Sequence, residues 1–156
     1  MLADIERVIE QYSDMVYRIA LTRTGTKENA EDIYQDVFLK YSQKAPQFEN
    51  FNHEKAWLIR VTINMTKNFN NSSWNKKVIN LDENIKFETP EENGVYQVVC
   101  KLPQKYRTVI YLMYYEGYKI NEISEIMKVK EGTIKTWAFR ARQLLKENLE
   151  GGFDDE

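Results

Sequence analysis

The chain is poor in the residues that carry covalent or metal chemistry. It has one cysteine, Cys100, which excludes an internal disulfide framework and fits a reducing compartment. It has one histidine, His53, which on its own has no partners for a metal site or a catalytic dyad. The six glycines form no Gly-rich phosphate loop, and no carboxylate pair stands in a metal-binding pattern. A nucleic-acid enzyme is therefore disfavoured, and no catalytic residue, metal or cofactor is expected. No apolar run approaches the length of a membrane span. The opening MLADIERVIEQYSDMVYRIA sets acids inside its apolar pattern, unlike a signal peptide. A cytoplasmic protein without membrane insertion is expected. There is no internal repeat.

What is present is charge, laid out in blocks. The net charge is only −2 over 156 residues. Residues 101–149 nevertheless hold ten Lys/Arg and five Asp/Glu, a local +5, while residues 79–100 sum to −4 and residues 1–78 to +1. The last seven residues hold four acids and no base. Two folded blocks, an acidic connector and an acidic tail account for this layout. The local basic excess is what phosphate binding needs, whatever the total.

Periodicity is helical throughout. Ile5, Val8, Ile9, Tyr12, Val16 and Ile19 predict an amphipathic helix over residues 4–22. Gly25-Thr26 punctuates it, and Thr26 suits the N-cap of a second helix, 26–43, whose stripe is Ala30, Ile33, Tyr34, Val37, Phe38 and Tyr41. Pro46 ends that run. A third helix is expected over about residues 54–70, with Leu58, Val61, Met65 and Phe69 inward. Residues 71–94 have the polar and turn composition of a linker. A short helix with Val95, Val98, Val99 and Leu102 follows, then one opened by Pro103 and stopped by Gly117. No segment sustains period-two alternation, so the fold class is all-α: two small helical domains joined by a flexible acidic linker.

Two short helices near the C-terminus are separated only by Lys128-Val129-Lys130-Glu131. Such a joint makes a helix-turn-helix, whose second helix can enter the major groove. On a wheel of residues 132–146, Ile134, Ala138, Ala141 and Leu145 form the core side, and Lys135, Thr136, Phe139, Arg140 and Gln143 lie opposite. Arg and Lys pair with guanine edges, Gln with adenine, and Thr and Phe touch thymine methyls. A large aromatic among those charges argues against a merely solvated face. Trp137 falls at the rim, where packing is its expected role. In the preceding helix, small Ser124 suits a close crossing and Glu122 is placed to fix its angle.

The first block differs. Opposite the stripe of helix 26–43 lie Asp32, Gln35, Asp36 and Leu39. Acceptors beside an exposed Leu suit an Arg-rich protein partner and would repel DNA; a solvated acidic face is the competing reading. The third helix exposes Arg60, Asn64, Lys67 and Asn71, and is preceded by a segment running from Phe48 to His53. Aromatics beside amides suit unpaired bases, although Phe48 and Trp57 are expected in the core.

These residues carry a resemblance. The chain is similar to the extracytoplasmic-function sigma factors of bacterial RNA polymerase from about Tyr12 to Leu149. The first signature is AEDIYQDVFLKY (30–41) with AWLIRVTINMTKNF (56–69); the second is LPQKYRTVIYLMYYEGYKINEISEIM (102–127) with EGTIKTWAFRARQLLKE (131–147). The resemblance implies four segments: residues 1–71 for polymerase docking and the minus-ten element, a linker at 72–94, residues 95–149 for the minus-35 element, and the tail at 150–156. It implies docking of the first block on the clamp coiled coil of the largest catalytic subunit of core RNA polymerase through Asp32, Gln35, Asp36 and Phe38. Phe51, Asn52, His53, Arg60, Asn64 and Lys67 would meet the melted minus-ten strand. Thr133, Lys135, Thr136, Phe139, Arg140 and Gln143 would read minus-35 promoter DNA. An anti-sigma factor is a further partner implied by the resemblance. The chain departs from the family in keeping only Lys76 and Lys77 of the basic run after the third helix, in Trp137 where Arg is common, and in Lys128 where Gly is common. A free-standing helix-turn-helix regulator is the main rival. It would need a dimer interface, yet no heptads follow residue 149.

Overall fold

The computed structural model describes residues 2–44, 46–67, 99 and 101–154, with side chains described between residues 5 and 147. The linker 72–94 and the segment around Val95 and Val98 lie outside these residues, as do Phe69, Asn71 and Cys100. The first block is three helices: α1 (Leu2–Thr24), α2 (Lys27–Lys44) and α3 (Phe51–Met65). In the second, α4 (Gln104–Ile110) runs into a π-helical turn (Tyr111–Tyr115), followed by α5 (Ile120–Met127) and α6 (Glu131–Asp154). All regular structure among the described residues is helical.

Local chemistry explains the joints. Gly25 takes φ 84° after α1, and its N–H reaches the Leu21 carbonyl at 2.9 Å, a left-handed C-terminal cap that costs glycine little. The Thr26 hydroxyl accepts from the Asn29 N–H at 3.2 Å, capping α2 as the sequence suggests. α3 starts three residues before the expected position. Asn50 caps it by accepting from the His53 N–H at 2.9 Å, which draws Phe51, Asn52 and His53 out of the expected loop and into the first helical turn. It also ends sooner, at Met65. There the Thr66 hydroxyl donates back to the Ile63 carbonyl at 2.8 Å and accepts from the Arg23 guanidinium, so local bonding competes with the helix ladder.

The π turn was not expected from spacing. It brings Tyr111 and Tyr115 face to face, centroids 5.0 Å apart, and closes where Gly117 takes φ 78°. Wide i→i+5 turns of this kind recur at functional sites.

The two blocks share their core. Val8, Val16, Ile19, Val37, Leu58 and Ile59 of the first block belong to one buried apolar cluster with Val109, Leu112, Ile123, Ile134 and Ala138 of the second. A smaller cluster of Leu102, Tyr106, Ile110 and Ala141 ties α4 to α6. At the seam, the last carbonyls of α1 are capped by the second block. Arg107, 1% exposed, donates to the Thr22 carbonyl at 2.8 Å, and the Gln104 amide donates to the Arg23 carbonyl at 3.0 Å. These are the orphan acceptors of a helix end, where cations are favoured. Arg23, 5% exposed, donates to Thr108 Oγ1 at 2.7 Å and to Gln104 Oε1 at 3.2 Å. Burial lowers its pKa to about 10. A Lys55–Glu116 ion pair at 3.0 Å and the Arg18 guanidinium 5.1 Å from the Tyr115 ring centre complete the seam.

Candidate nucleic-acid and partner interfaces

The helix-turn-helix is built by short-range bonds. The Glu122 carboxylate accepts from the Lys119 N–H at 2.8 Å, so this side chain caps α5 rather than setting its crossing angle. Lys128 adopts the left-handed conformation itself, φ 59° and ψ 46°, at a position where a glycine would carry no Cβ strain. The Ser124 hydroxyl donates to the Val129 carbonyl and the Val129 N–H returns to the Ser124 carbonyl, which pins the turn. α6 then leaves with Ile134, Ala138 and Ala141 fully buried.

That burial decides the other face. Lys135, Thr136, Phe139, Arg140 and Gln143 are all exposed, Phe139 by 56%, and Thr133 is half-buried. An exposed aromatic flanked by two cations and an amide on a rigid helix is an inventory for base edges and thymine methyls. The Thr136 hydroxyl donates to the Gly132 carbonyl at 3.0 Å, leaving its methyl and its oxygen lone pairs for contact. Trp137 packs against both apolar clusters, with Lys105 Nζ 5.3 Å from its ring centre. Of the ten cations counted in this block, Arg107 is buried on carbonyls and is not available to phosphate.

On α2, Asp32, Gln35 and Asp36 are exposed beside Leu39, itself 56% exposed. An open groove beside them is lined by Ile33, Asp36, Leu39, Lys40, Lys44 and Met65. Phe38 lies on the other side of the helix, in the core, with its ring edge-on to Tyr34 at 5.0 Å. It offers no surface to a partner here, because α2 has one buried stripe and Phe38 is on it.

α3 presents Phe51 (62% exposed), Asn52 and His53 in its first turn, and Asn64 and Lys67 near its end. Phe48 and Trp57 pack with Tyr41, as aromatic core at the edge. Arg60 is engaged elsewhere: its guanidinium donates to the carbonyls of Glu125 at 3.2 Å and Ile126 at 3.3 Å, at the end of α5. The structure therefore groups Phe51, Asn52 and His53 in one turn and holds Arg60 against the second block.

Sequence reasoning missed the charged group beneath that turn. Glu54 is 3% exposed and its Oε2 accepts from Arg7 at 2.8 Å and from the Tyr41 hydroxyl at 2.7 Å. The Glu54 hydrogen bond raises the Arg7 pKa above its ordinary value. The only available signal was a Glu in the first turn of a helix, which reads as an ordinary dipole partner. Among the described residues no cluster of three metal-ligating side chains occurs, and no helix is long and apolar enough to cross a membrane.

Comparison with known proteins meets this geometry. The family model for Sigma-70 region 2 matches residues 8–75, and that for Sigma-70, region 4 matches residues 93–145. The ECF RNA polymerase sigma factor SigW of Bacillus subtilis is 28% identical, over 91% of this chain and 87% of that protein. SigM of the same organism is 28% identical over 97% and 99%. Among solved structures, the sigma factor RpoE in complex with the anti-sigma factor NepR from Bartonella quintana shares the fold, with a TM-score of 0.68 and 22% identity over 94% of this chain and 97% of that one. CnrH in complex with the cytosolic domain of CnrY has a TM-score of 0.66 and 19% identity over 97% and 90%. With both sigma regions matched in order across an all-helical fold, the chain belongs to the extracytoplasmic-function sigma factors of RNA polymerase.

Proposed function

We propose that this sigma factor docks on core RNA polymerase through α2, reads minus-35 duplex through α6, and melts the minus-ten element by capturing an unpaired base at the start of α3. The observation that carries the reading is the separation of two chemically opposed surfaces in one small chain. The exposed face of α6 is cationic and aromatic, suited to DNA; the exposed face of α2 is acidic and amidic beside Leu39, suited to a basic protein surface and hostile to phosphate. A free-standing regulator has use for the first surface and none for the second. The docking residues are Asp32, Gln35 and Asp36, with Phe38 supporting the helix from within. The duplex readers are Lys135, Thr136, Phe139, Arg140 and Gln143, with Thr133 at the helix entrance. Phe51, Asn52 and His53 receive the base, and Arg60, Asn64 and Lys67 follow the strand. Residues 1–71 and 95–149 serve as the two working units, joined by 72–94.

The protein is non-catalytic in this reading; polymerase makes the RNA. Unstacking a base costs a few kcal/mol, and pocket contacts with aromatic stacking offset it without nucleotide hydrolysis. An anti-sigma protein is a further proposed partner, since a sigma factor of the same fold, RpoE, was solved in complex with the anti-sigma factor NepR.

The test is reconstitution with core polymerase, followed by run-off transcription from a mapped promoter. The double variant Asp32→Ala, Asp36→Ala should keep its helical content while core binding weakens. The expected loss is about 1.5–3 kcal/mol for each charge-assisted bond buried in the complex. Core binding at full strength by the double variant would overturn the docking site. Promoter-specific regulation by the chain without core polymerase would favour the free-standing regulator.

A further inference from the structure

Phe51 is 62% exposed and yet is held. The Arg7 guanidinium of α1 lies 5.2 Å from its ring centre, and the Tyr12 hydroxyl of α1 donates to the Phe51 carbonyl at 3.5 Å. Arg7 is in turn fixed on two sides, donating to Glu54 Oε2 at 2.8 Å and to Gln11 Oε1 at 2.8 Å. Glu54 is anchored to α2 by the Tyr41 hydroxyl at 2.7 Å. Three helices thus converge, through one buried carboxylate and one cation, on a single exposed ring.

A cation on a ring is attracted to its π-face, and the orientation of that ring is restricted by the contact. The carboxylate beneath is not arranged for stability alone. Glu54 Oε1 is buried without a hydrogen-bond partner among the described residues, and an unpaired buried acceptor is unfavourable. An uncharged side chain could fill the same space; what it could not do is hold Arg7 in place by charge. Stacking on an aromatic side chain is strongest when the ring is already oriented and loses little freedom on binding.

We propose that Arg7 is a positioning residue of the single-strand site: with Glu54 as its anchor, it fixes the Phe51 ring as a preformed platform for the captured base. This rests on the reading that the start of α3 receives an unpaired base. It brings α1, a helix with no role in that reading, into the site.

The test measures binding of reconstituted holoenzyme to single-stranded DNA taken from the melted strand of a promoter it transcribes. The variants are Arg7→Gln, Glu54→Gln, Phe51→Ala and Arg7→Gln combined with Phe51→Ala. Arg7→Gln and Glu54→Gln should each weaken binding about two- to fivefold, the worth of a cation–π contact at an exposed site. Core binding and minus-35 duplex binding should not change. Arg7→Lys, which keeps the charge, should recover part of the loss. In the Phe51→Ala background Arg7→Gln should have no further effect, because the ring through which it acts is gone. A purely structural role for the ion pair would instead depress all three binding reactions together. Arg7 is partly exposed, so Arg7→Gln remains informative where Glu54→Gln fails to fold. No effect of Phe51→Ala would remove the base-capture reading itself. A clear effect of Phe51→Ala, with Arg7→Gln either silent or fully additive to it, would overturn this inference alone.

Discussion

Arg140 sits two turns into α6, exposed, between Phe139 and the buried Ala141. From that position a planar fork of five donors can bond a guanine edge in two places. Arg140→Ala is therefore expected to cost about 1–3 kcal/mol in promoter binding and to relax the preference at one base pair. A phosphate contact gives a different pattern: affinity falls evenly over all sequences and the salt slope shrinks by about one. Footprinting across single-base promoter variants at two salt concentrations separates the two, and a silent variant would put Arg140 outside the interface. The same scale shows why a residue's type does not reveal its use. Arg140, Arg107 and Arg60 are equal cations in a charge count. One is exposed, one is buried on the carbonyls of Thr22 and Leu102, and one donates to the end of α5.

Elements carried most of what was legible in the sequence. The stripes of α1, α2 and α6 and the Thr26 cap follow from spacing and side-chain chemistry within a few residues. The face of α6 was legible for the same reason, since burying Ile134, Ala138 and Ala141 leaves only one side for Lys135, Phe139 and Arg140. What was hidden depends on partners distant in sequence. α3 ends early because Arg23, over forty residues away, shares the Thr66 hydroxyl. The π turn exists where Tyr111 and Leu112 must both be buried, and its Tyr111 hydroxyl donates to Glu116 at 2.8 Å. This turn and the loop after it have a measurable consequence. Burial, then the nearby Glu116 and Glu122 carboxylates, push the Tyr118 phenol up to about 12. An unfolded tyrosine titrates near pH 10, so the folded state holds this proton more tightly. Its contribution to stability is complete below pH 10 and is lost as pH rises from 10 through 12. Arg23 acts in the opposite direction, because its folded pKa of about 10 lies below that of the unfolded chain. The decisive quantity is thus the difference between the protein and Tyr118→Phe in urea midpoint from pH 9 to 12. The Phe variant should lose part of the decline above pH 10; identical pH profiles would show that Tyr118 titrates as an exposed phenol.

At the scale of the whole molecule, the closed seam occupies groups that the proposed strand path would use. Arg60 Nε and Nη2 are committed to the Ile126 and Glu125 carbonyls, so that edge of the guanidinium is not open to a bidentate grip on a DNA strand while the seam is closed, and Lys55 cannot pair with Glu116 if the first block turns that side of α3 elsewhere. Besides the shared apolar core, the charged side chains that the first block sends across the seam, Arg18, Arg23, Lys55 and Arg60, are all cations among the described residues, and the second block answers them with carbonyls, a hydroxyl, an amide oxygen, a tyrosine face and a carboxylate. Separating the blocks would release this positive charge, and on the proposed reading, in which Arg60 follows the strand, strand binding and opening of the seam would favour each other. Asp32, Gln35 and Asp36 are exposed with the seam closed, so docking through the proposed face would not require opening. Joining the blocks should then uncouple the two steps. In a Cys100→Ser background, Lys55→Cys and Glu116→Cys can be bridged by a short, cleavable bismaleimide. The bridged protein should still bind core polymerase but lose at least about tenfold in promoter melting, since the joined blocks cannot shift toward the open population. Cleaving the linker should restore activity, which controls for the two substitutions. Melting at the unbridged rate with the linker intact would mean that Arg60 stays on α5 throughout initiation and that the strand is followed by Asn64 and Lys67 alone.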